Sequence, residues 1–259
     1  MANGTSGTRG SGTSAATAPA KNKQPTKTVQ AQTTTPTPTA PPVANQTIRQ
    51  PVVYQTFSDS DAAALASKYD SYNDPDVVTA RKMYISDSNP NGDGYSHAQN
   101  LNYKLDNGGR LNATEQFIDD NIQYGMHSIG KDAKLVRFCH DDLLKQMGIS
   151  DYSTMSETQL KKALVGKTGR TTSYMSTSYD AKKSPFAPGA PAGGGREVVL
   201  NVNAGKATQV ILGAKKQAEV VLDKGTNFRI TGIRYDGTYA TPRGSSKRKP
   251  RVIVDIETY

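Results

Sequence analysis

From Arg196 onward the chain is a succession of short runs rich in β-branched residues: Arg196–Val202, Gln209–Leu212, Ala218–Leu222, Phe228–Tyr235 and Arg251–Thr258. Each is of strand length and is set off by Gly, Asn or Lys-rich punctuation, so each is predicted to be a β-strand. The stretch before them carries helical signals. Ser58 or Asp59 can cap a helix over Asp61–Tyr69, and Asp74-Pro75 opens another over Val77–Tyr84. Tyr95–Leu105 reads as a helix that stops at Asn107-Gly108-Gly109. Asn112 or Thr114 caps the next, whose apolar face is Phe117, Ile118, Ile122 and Met126. Further helices are expected at Asp141–Met147 and Ser156–Leu164, with a short strand at Leu135–Phe138 before them. Helices first and strands later predict an α+β fold.

Residues 1–50 are a different material. They are almost all Gly, Ser, Thr, Ala, Pro, Gln, Asn and Lys, and they alternate Thr and Pro over Thr33–Pro42. Such a composition buries too little surface to offset the entropy of ordering, so this segment is expected to be a disordered basic tail. The domain is then 51–259, with a helical part at 58–165 and a β-rich part at 133–259. The formal net charge is +9. Arg9, Lys21, Lys23, Lys27 and Arg49 in the tail, with Arg243, Lys247, Arg248, Lys249 and Arg251 near the end, account for all of it, so the body is near neutral.

Several function classes drop out. Cys139 is the only cysteine, so no intramolecular disulfide can form. His97, His127 and His140 stand at no metal-ligand spacing. Asp87–Gly94 begins like a calcium loop, but its twelfth position is Ala98 and not a Glu, and it reads as a turn. Gly166-Lys167-Thr168 lacks the earlier glycine of a phosphate loop, since Lys161 stands there. No metal is therefore expected. No apolar run nears the ~20 residues that span a bilayer, and the N-terminus has no signal-peptide h-region. Neither a membrane partner nor Sec export is expected. A cytoplasmic, virion-associated or otherwise released protein fits.

Three short elements carry chemistry. Leu135-Val136-Arg137-Phe138 puts a guanidinium on a strand, Tyr174-Met175-Ser176-Thr177-Ser178 follows, and Gln217-Ala218-Glu219 stands where a loop meets the buried run Val220–Leu222. Arginine, then Ser-Thr-Ser, then Gln-x-Glu, in that order, resembles the mono-ADP-ribosyltransferases of arginine–serine–glutamate type, over about Tyr95–Tyr259. Leu101-Asn102-Tyr103-Lys104-Leu105 is similar to the family's Asn-x-Tyr-Leu-Arg helix, although the terminal Arg is not matched. The family's usual Arg-Gly pair is Arg137-Phe138 here. The resemblance implies two twisted, packed, mainly antiparallel β-sheets with a helical flank, and NAD as substrate in the cleft between them.

The resemblance also implies roles. Arg137 would pair with the NAD pyrophosphate through parallel hydrogen bonds. Ser176 would hold the nicotinamide-ribose, with Thr177 and Ser178 supporting the wall and Asn102 and Tyr103 completing the NAD site. Glu219 would stabilise the oxocarbenium-like sugar. Gln217, expected two residues earlier on the same strand face, would meet the acceptor. In the family a Glu there accompanies arginine acceptors, whereas a Gln accompanies neutral ones such as asparagine amides. The family's aromatic residue before the Gln is missing from Gly213-Ala214-Lys215-Lys216. Lys215 would instead suit an acidic protein surface or a nucleic acid, and a protein acceptor is expected first. Two other readings fit the same residues: an NAD glycohydrolase, and a non-catalytic binding or phage structural module that keeps the fold.

The composition of the tail yields a direct test. Removing residues 1–50 is expected to leave the melting temperature and NAD cleavage nearly unchanged, because such segments contribute little to folding. A clear fall in melting temperature on truncation would show that the tail packs on the body.

Overall fold

The computed structural model describes residues 52–140, 144–145, 147–187, 198–240 and 248–259. The tail 1–50, most of the expected helix Asp141–Met147, most of the Pro/Gly-rich loop after Pro185, and Arg243 and Lys247 lie outside the described residues. Residues 50–259 form one compact unit.

Five helices are described, and each begins on a side-chain cap. Ser58 caps α1 (Asp59–Lys68), and Asp74 caps α2 (Pro75–Tyr84) with Pro75 in its first turn. Ser96 caps α3 (His97–Asp106), Asn112 caps α4 (Ala113–Tyr124) and Ser156 caps α5 (Glu157–Leu164). Four of these are reciprocal capping boxes, closed by Asp61, Gln99, Glu115 and Gln159. Each cap satisfies orphan amides and fixes where the helix starts, which is why the helices begin close to their expected positions.

The strands are β1 (Gln55–Thr56), β2 (His127–Ser128), β3 (Ala133–Cys139), β4 (Thr168–Arg170), β5 (Met175–Ser178), β6 (Val198–Ala204), β7 (Gln209–Leu212), β8 (Glu219–Leu222), β9 (Asn227–Ala240) and β10 (Arg248–Thr258). They lie in the order β2-β7-β8-β5-β3-β6-β10-β9-β4, with β1 added on β3. Pairing is antiparallel except for β1 on β3 and β6 on β10. The α+β expectation holds. The two sheets implied by the resemblance, β2-β7-β8-β5 and β3-β6-β10-β9-β4, are hydrogen-bonded to each other at one register pair, Val136↔Ser178, and so form one continuous path.

Two apolar clusters hold this arrangement. The larger packs α5 and the α1 side against Leu135, Leu200, Val202, Val254 and Ile256. The smaller joins α2, α3 and α4 through Val77, Leu101, Ile118 and Ile122 to Ile211 and Val221. Strand β8 belongs to both: Val220 and Leu222 enter the first cluster and Val221 the second. A strand buried on both faces needs an unbroken apolar run, and Val220-Val221-Leu222 supplies it. Among the described residues no helix is long and apolar enough to cross a membrane.

The helical layer is also bolted to the sheet by a polar contact. Asp119 on α4 is buried, with Lys224 Nζ 2.5 Å and 2.6 Å from its two carboxylate oxygens and the Tyr174 hydroxyl donating to Oδ1 at 2.7 Å. Burial, and donation to that carboxylate, push the Tyr174 phenol far above its usual range. Lys224→Met strands the carboxylate and is expected to cost about 3 kcal/mol in urea unfolding, with Lys224→Met/Asp119→Asn recovering part of the loss. A midpoint unchanged in Lys224→Met would show that this contact holds nothing.

Candidate active site

The seam between β3 and β5 opens into a cleft of about 580 Å³, within the range that encloses nucleotide-sized ligands. Arg137 on β3, Ser176 on β5 and Glu219 on β8 all line it, together with Gln217 and Asn102. The register explains why three distant segments meet. Val136 pairs with Ser178, and Ser178 pairs in turn with Glu219, so the three strands lie side by side with Arg137 one residue and Ser176 two residues from that level.

Arg137 Nη1 donates to the Ser176 carbonyl at 2.9 Å across the seam. That uses one of five N–H donors and orients the guanidinium. Thr177 and Ser178 spend their hydroxyls on main chain. Thr177 Oγ1 donates to Val220 O at 2.6 Å, and Ser178 Oγ reaches Gln217 O and Asp180 O, both at 2.8 Å. They build the wall, while Ser176, on the alternate face from Thr177, meets Tyr84.

Tyr84, which has no motif to mark it, also lines the cleft. It ends α2, is buried, and stands edge-on to Tyr174 with ring centroids 5.8 Å apart. Its hydroxyl accepts from Asn102 Nδ2 at 3.1 Å and lies within reach of Ser176. Burial raises its pKa, and those two hydrogen bonds work against the rise. The phenol also feels the charges of Glu219 and Arg137, which line the same cleft. An aromatic residue at a helix end reads as core, and nothing in its local sequence signals the hydroxyl's neighbours.

Glu219 is the first residue of β8, as its place before the apolar run predicted. Its Oε2 accepts from Ala214 N at 2.8 Å. The carboxylate lies over Gly213, where an added Cβ would stand 2.2 Å from Oε2, so glycine there makes room for it. Gln217 corrects an expectation. It is not on the strand but ends the 3-10 turn Lys215–Gln217, and Ala218 after it takes the left-handed conformation with φ 50°. This reversal, costly for a residue with a Cβ, breaks the two-residue alternation that a strand would impose. Gln217 reaches the cleft from the turn, and among the described residues its side-chain amide has no hydrogen-bond partner.

Three other expectations divide. Asn102 lines the cleft but spends its amide as a clasp, accepting from Tyr174 N at 3.2 Å and donating to Tyr174 O at 3.4 Å. Tyr103 is not brought to the cleft. One helical step past Asn102 it points outward and is 70% exposed. Lys215 is exposed outside the lining, and its charge is felt instead by Asp59 at the start of α1. His127 stacks on Tyr69 at 3.7 Å, away from the cleft.

Known proteins share this fold. The profile of the ADP-ribosyltransferase exoenzyme family matches residues 93–259. No curated protein matches in sequence. Among solved structures, the fold is similar to the enzymatic component of the C2 toxin from Clostridium botulinum, with TM-score 0.51 and 16% identity over 78% of this chain and 48% of that one. The chain thus spans about half the length of that relative. It is also similar to an ADP-ribosyltransferase of the C3 kind from Clostridium botulinum, with TM-score 0.52 and 16% identity over 81% of this chain and 99% of that one. A C3 protein from S. aureus, solved with NAD, gives TM-score 0.50 and 18% identity over 80% of this chain and 98% of that one. At these identities the structures speak for the fold, whereas the profile covers well over half the chain. The chain belongs to the ADP-ribosyltransferase exoenzyme family and is an NAD-dependent ADP-ribosyltransferase.

Proposed function

We propose that this mono-ADP-ribosyltransferase passes ADP-ribose to a neutral acceptor of the asparagine-amide kind on a protein. The observation that carries the reading is the Gln217 side-chain amide, unpartnered among the described residues, on the lip of the cleft that holds Glu219. A neutral amide both donates and accepts, so it can align another amide, but it offers no ion partner to a guanidinium. Position supports the remaining roles. Arg137 keeps N–H donors for the NAD pyrophosphate, and Ser176 and Tyr84 contact the nicotinamide-ribose. Glu219 stabilises positive charge on the sugar as the bond from C1′ to nicotinamide breaks, the electron pair leaving with nicotinamide. The acceptor nitrogen then bonds to C1′ and releases its proton to solvent.

Two variants test the carboxylate by nicotinamide release at saturating NAD. Glu219→Gln keeps shape but removes charge, and is expected to lower turnover on the order of 10²–10³-fold. Gly213→Ala inserts a methyl against a movable side chain, not against backbone. It is expected to keep the fold yet lower turnover about 10- to 100-fold by displacing the carboxylate. Wild-type turnover in Glu219→Gln would overturn its role.

Acceptor choice has its own measurement. Agmatine is expected not to accelerate nicotinamide release by the wild-type protein, whereas Gln217→Glu is expected to gain some agmatine modification, because a carboxylate pairs a guanidinium bidentately. Gln217→Ala should keep NAD hydrolysis and lose label transfer to protein. Efficient agmatine modification by the wild type would contradict the neutral acceptor. Nicotinamide release with no labelled protein in any lysate would favour a glycohydrolase.

A further inference from the structure

The turn that presents Gln217 and Glu219 starts at Leu212, the last residue of β7. Strand β2, the outer neighbour of β7, pairs only with Gln209 and Val210. The outward main-chain groups of Leu212 therefore have no strand beside them, and two side chains take its place. Arg81 Nε donates to Leu212 O at 2.9 Å, and Leu212 N donates to the Tyr72 hydroxyl at 3.3 Å. The two side chains also hold each other, with the Arg81 guanidinium 5.1 Å from the centre of the Tyr72 ring.

This is a costly way to end a strand. Tyr72 is 5% exposed, and burial lifts its phenol to about 12, so the hydroxyl stays protonated. Burial also presses the Arg81 guanidinium below its ordinary range, and among the described residues Arg81 makes no ion pair. A half-buried cation held by a carbonyl and a ring, with no carboxylate, is unfavourable unless its hydrogen bond is needed. Immediately after Leu212 come the two residues that shape the carboxylate site: Gly213, over which the Glu219 side chain lies, and Ala214, whose N–H reaches Glu219 Oε2 at 2.8 Å.

We propose that Arg81 and Tyr72 are positioning residues, which clamp Leu212 and so set the Gly213–Ala214 main chain against which the Glu219 carboxylate is oriented. Neither lines the cleft, so both act through the turn. The proposal rests on the reading of Glu219 given above and extends it to a second layer on α2 and the segment before it.

The test compares Arg81→Met, Arg81→Lys and Tyr72→Phe, each alone and combined with Glu219→Gln. Turnover and KM for NAD are read by nicotinamide release below every variant's melting midpoint, and NAD affinity by calorimetry. Arg81→Met is expected to lower kcat about 10- to 100-fold, the effect of a misplaced group, while NAD affinity stays at the wild-type value. Arg81→Lys should recover part of the loss. Tyr72→Phe keeps the ring and its packing and should lose less than Arg81→Met. In the Glu219→Gln background Arg81→Met should cost little more, because residues that act as a unit are not additive. Equal losses in both backgrounds, a parallel loss of NAD affinity, or wild-type kcat in Arg81→Met would overturn the proposal. Wild-type turnover in Glu219→Gln alone would overturn the reading beneath it, and no Arg81 variant is needed to see that.

Discussion

One register pair, Val136↔Ser178, joins the two halves of the sheet. A full ladder there would have filled the seam with main-chain hydrogen bonds. With a single pair, the strands diverge and leave a cleft, and the first side chain beyond the junction on β3 is Arg137. Its guanidinium bonds the Ser176 carbonyl at 2.9 Å, so this side chain also spans the opening. On the far side the β5–β8 ladder carries the same level across to Glu219. Arg137, Ser176 and Glu219 are thus gathered by strand register within two residues of one level, which is the rigid placement that charge-stabilising chemistry needs.

The carboxylate is aimed by a different device. Ala218 in the left-handed region turns the chain sharply into β8, and Gly213 leaves a space that the Glu219 side chain fills. Ser178 Oγ holds the Gln217 carbonyl, and Tyr179 N holds that of Ala218 at 3.0 Å. The turn is therefore tied to β5 on one side, while Arg81 and Tyr72 hold its beginning on the other. Backbone strain of this kind persists only where the surroundings over-determine it. Here it sets Glu219 at the start of the strand and leaves Gln217 on the turn at the cleft.

Much of this is legible in the sequence, for physical reasons that differ by element. Helix starts can be read because Ser58, Asp74, Asn112 and Ser156 act through local hydrogen bonds. The later strands can be read because β8 is buried on both faces and β10 on one, and burial writes itself as apolar runs. The edge strands β1, β2 and β4 are two or three residues long and bury little, so they leave no pattern. The place of Gln217 is hidden because an alanine gives no sign of positive φ; a glycine at position 218 would. Tyr103 enters with a motif of which Leu101 faces the core and Asn102 the cleft, while Tyr103 itself points outward. Tyr84 and Arg81 act through contacts distant in sequence, which no window along the chain can show.

On the proposed reading, one cleft along the β3–β5 seam binds NAD, with the pyrophosphate at Arg137 and the nicotinamide-ribose at Glu219. A crystal structure of the protein with NAD bound tests it most directly. The pyrophosphate is expected within hydrogen-bond distance of the Arg137 guanidinium, with the nicotinamide-ribose beside Ser176 and Tyr84 and its hydroxyls toward Glu219. NAD seated elsewhere, for example in the groove lined by Lys134, Asn201 and Asp255, would overturn the roles given to Arg137 and Glu219.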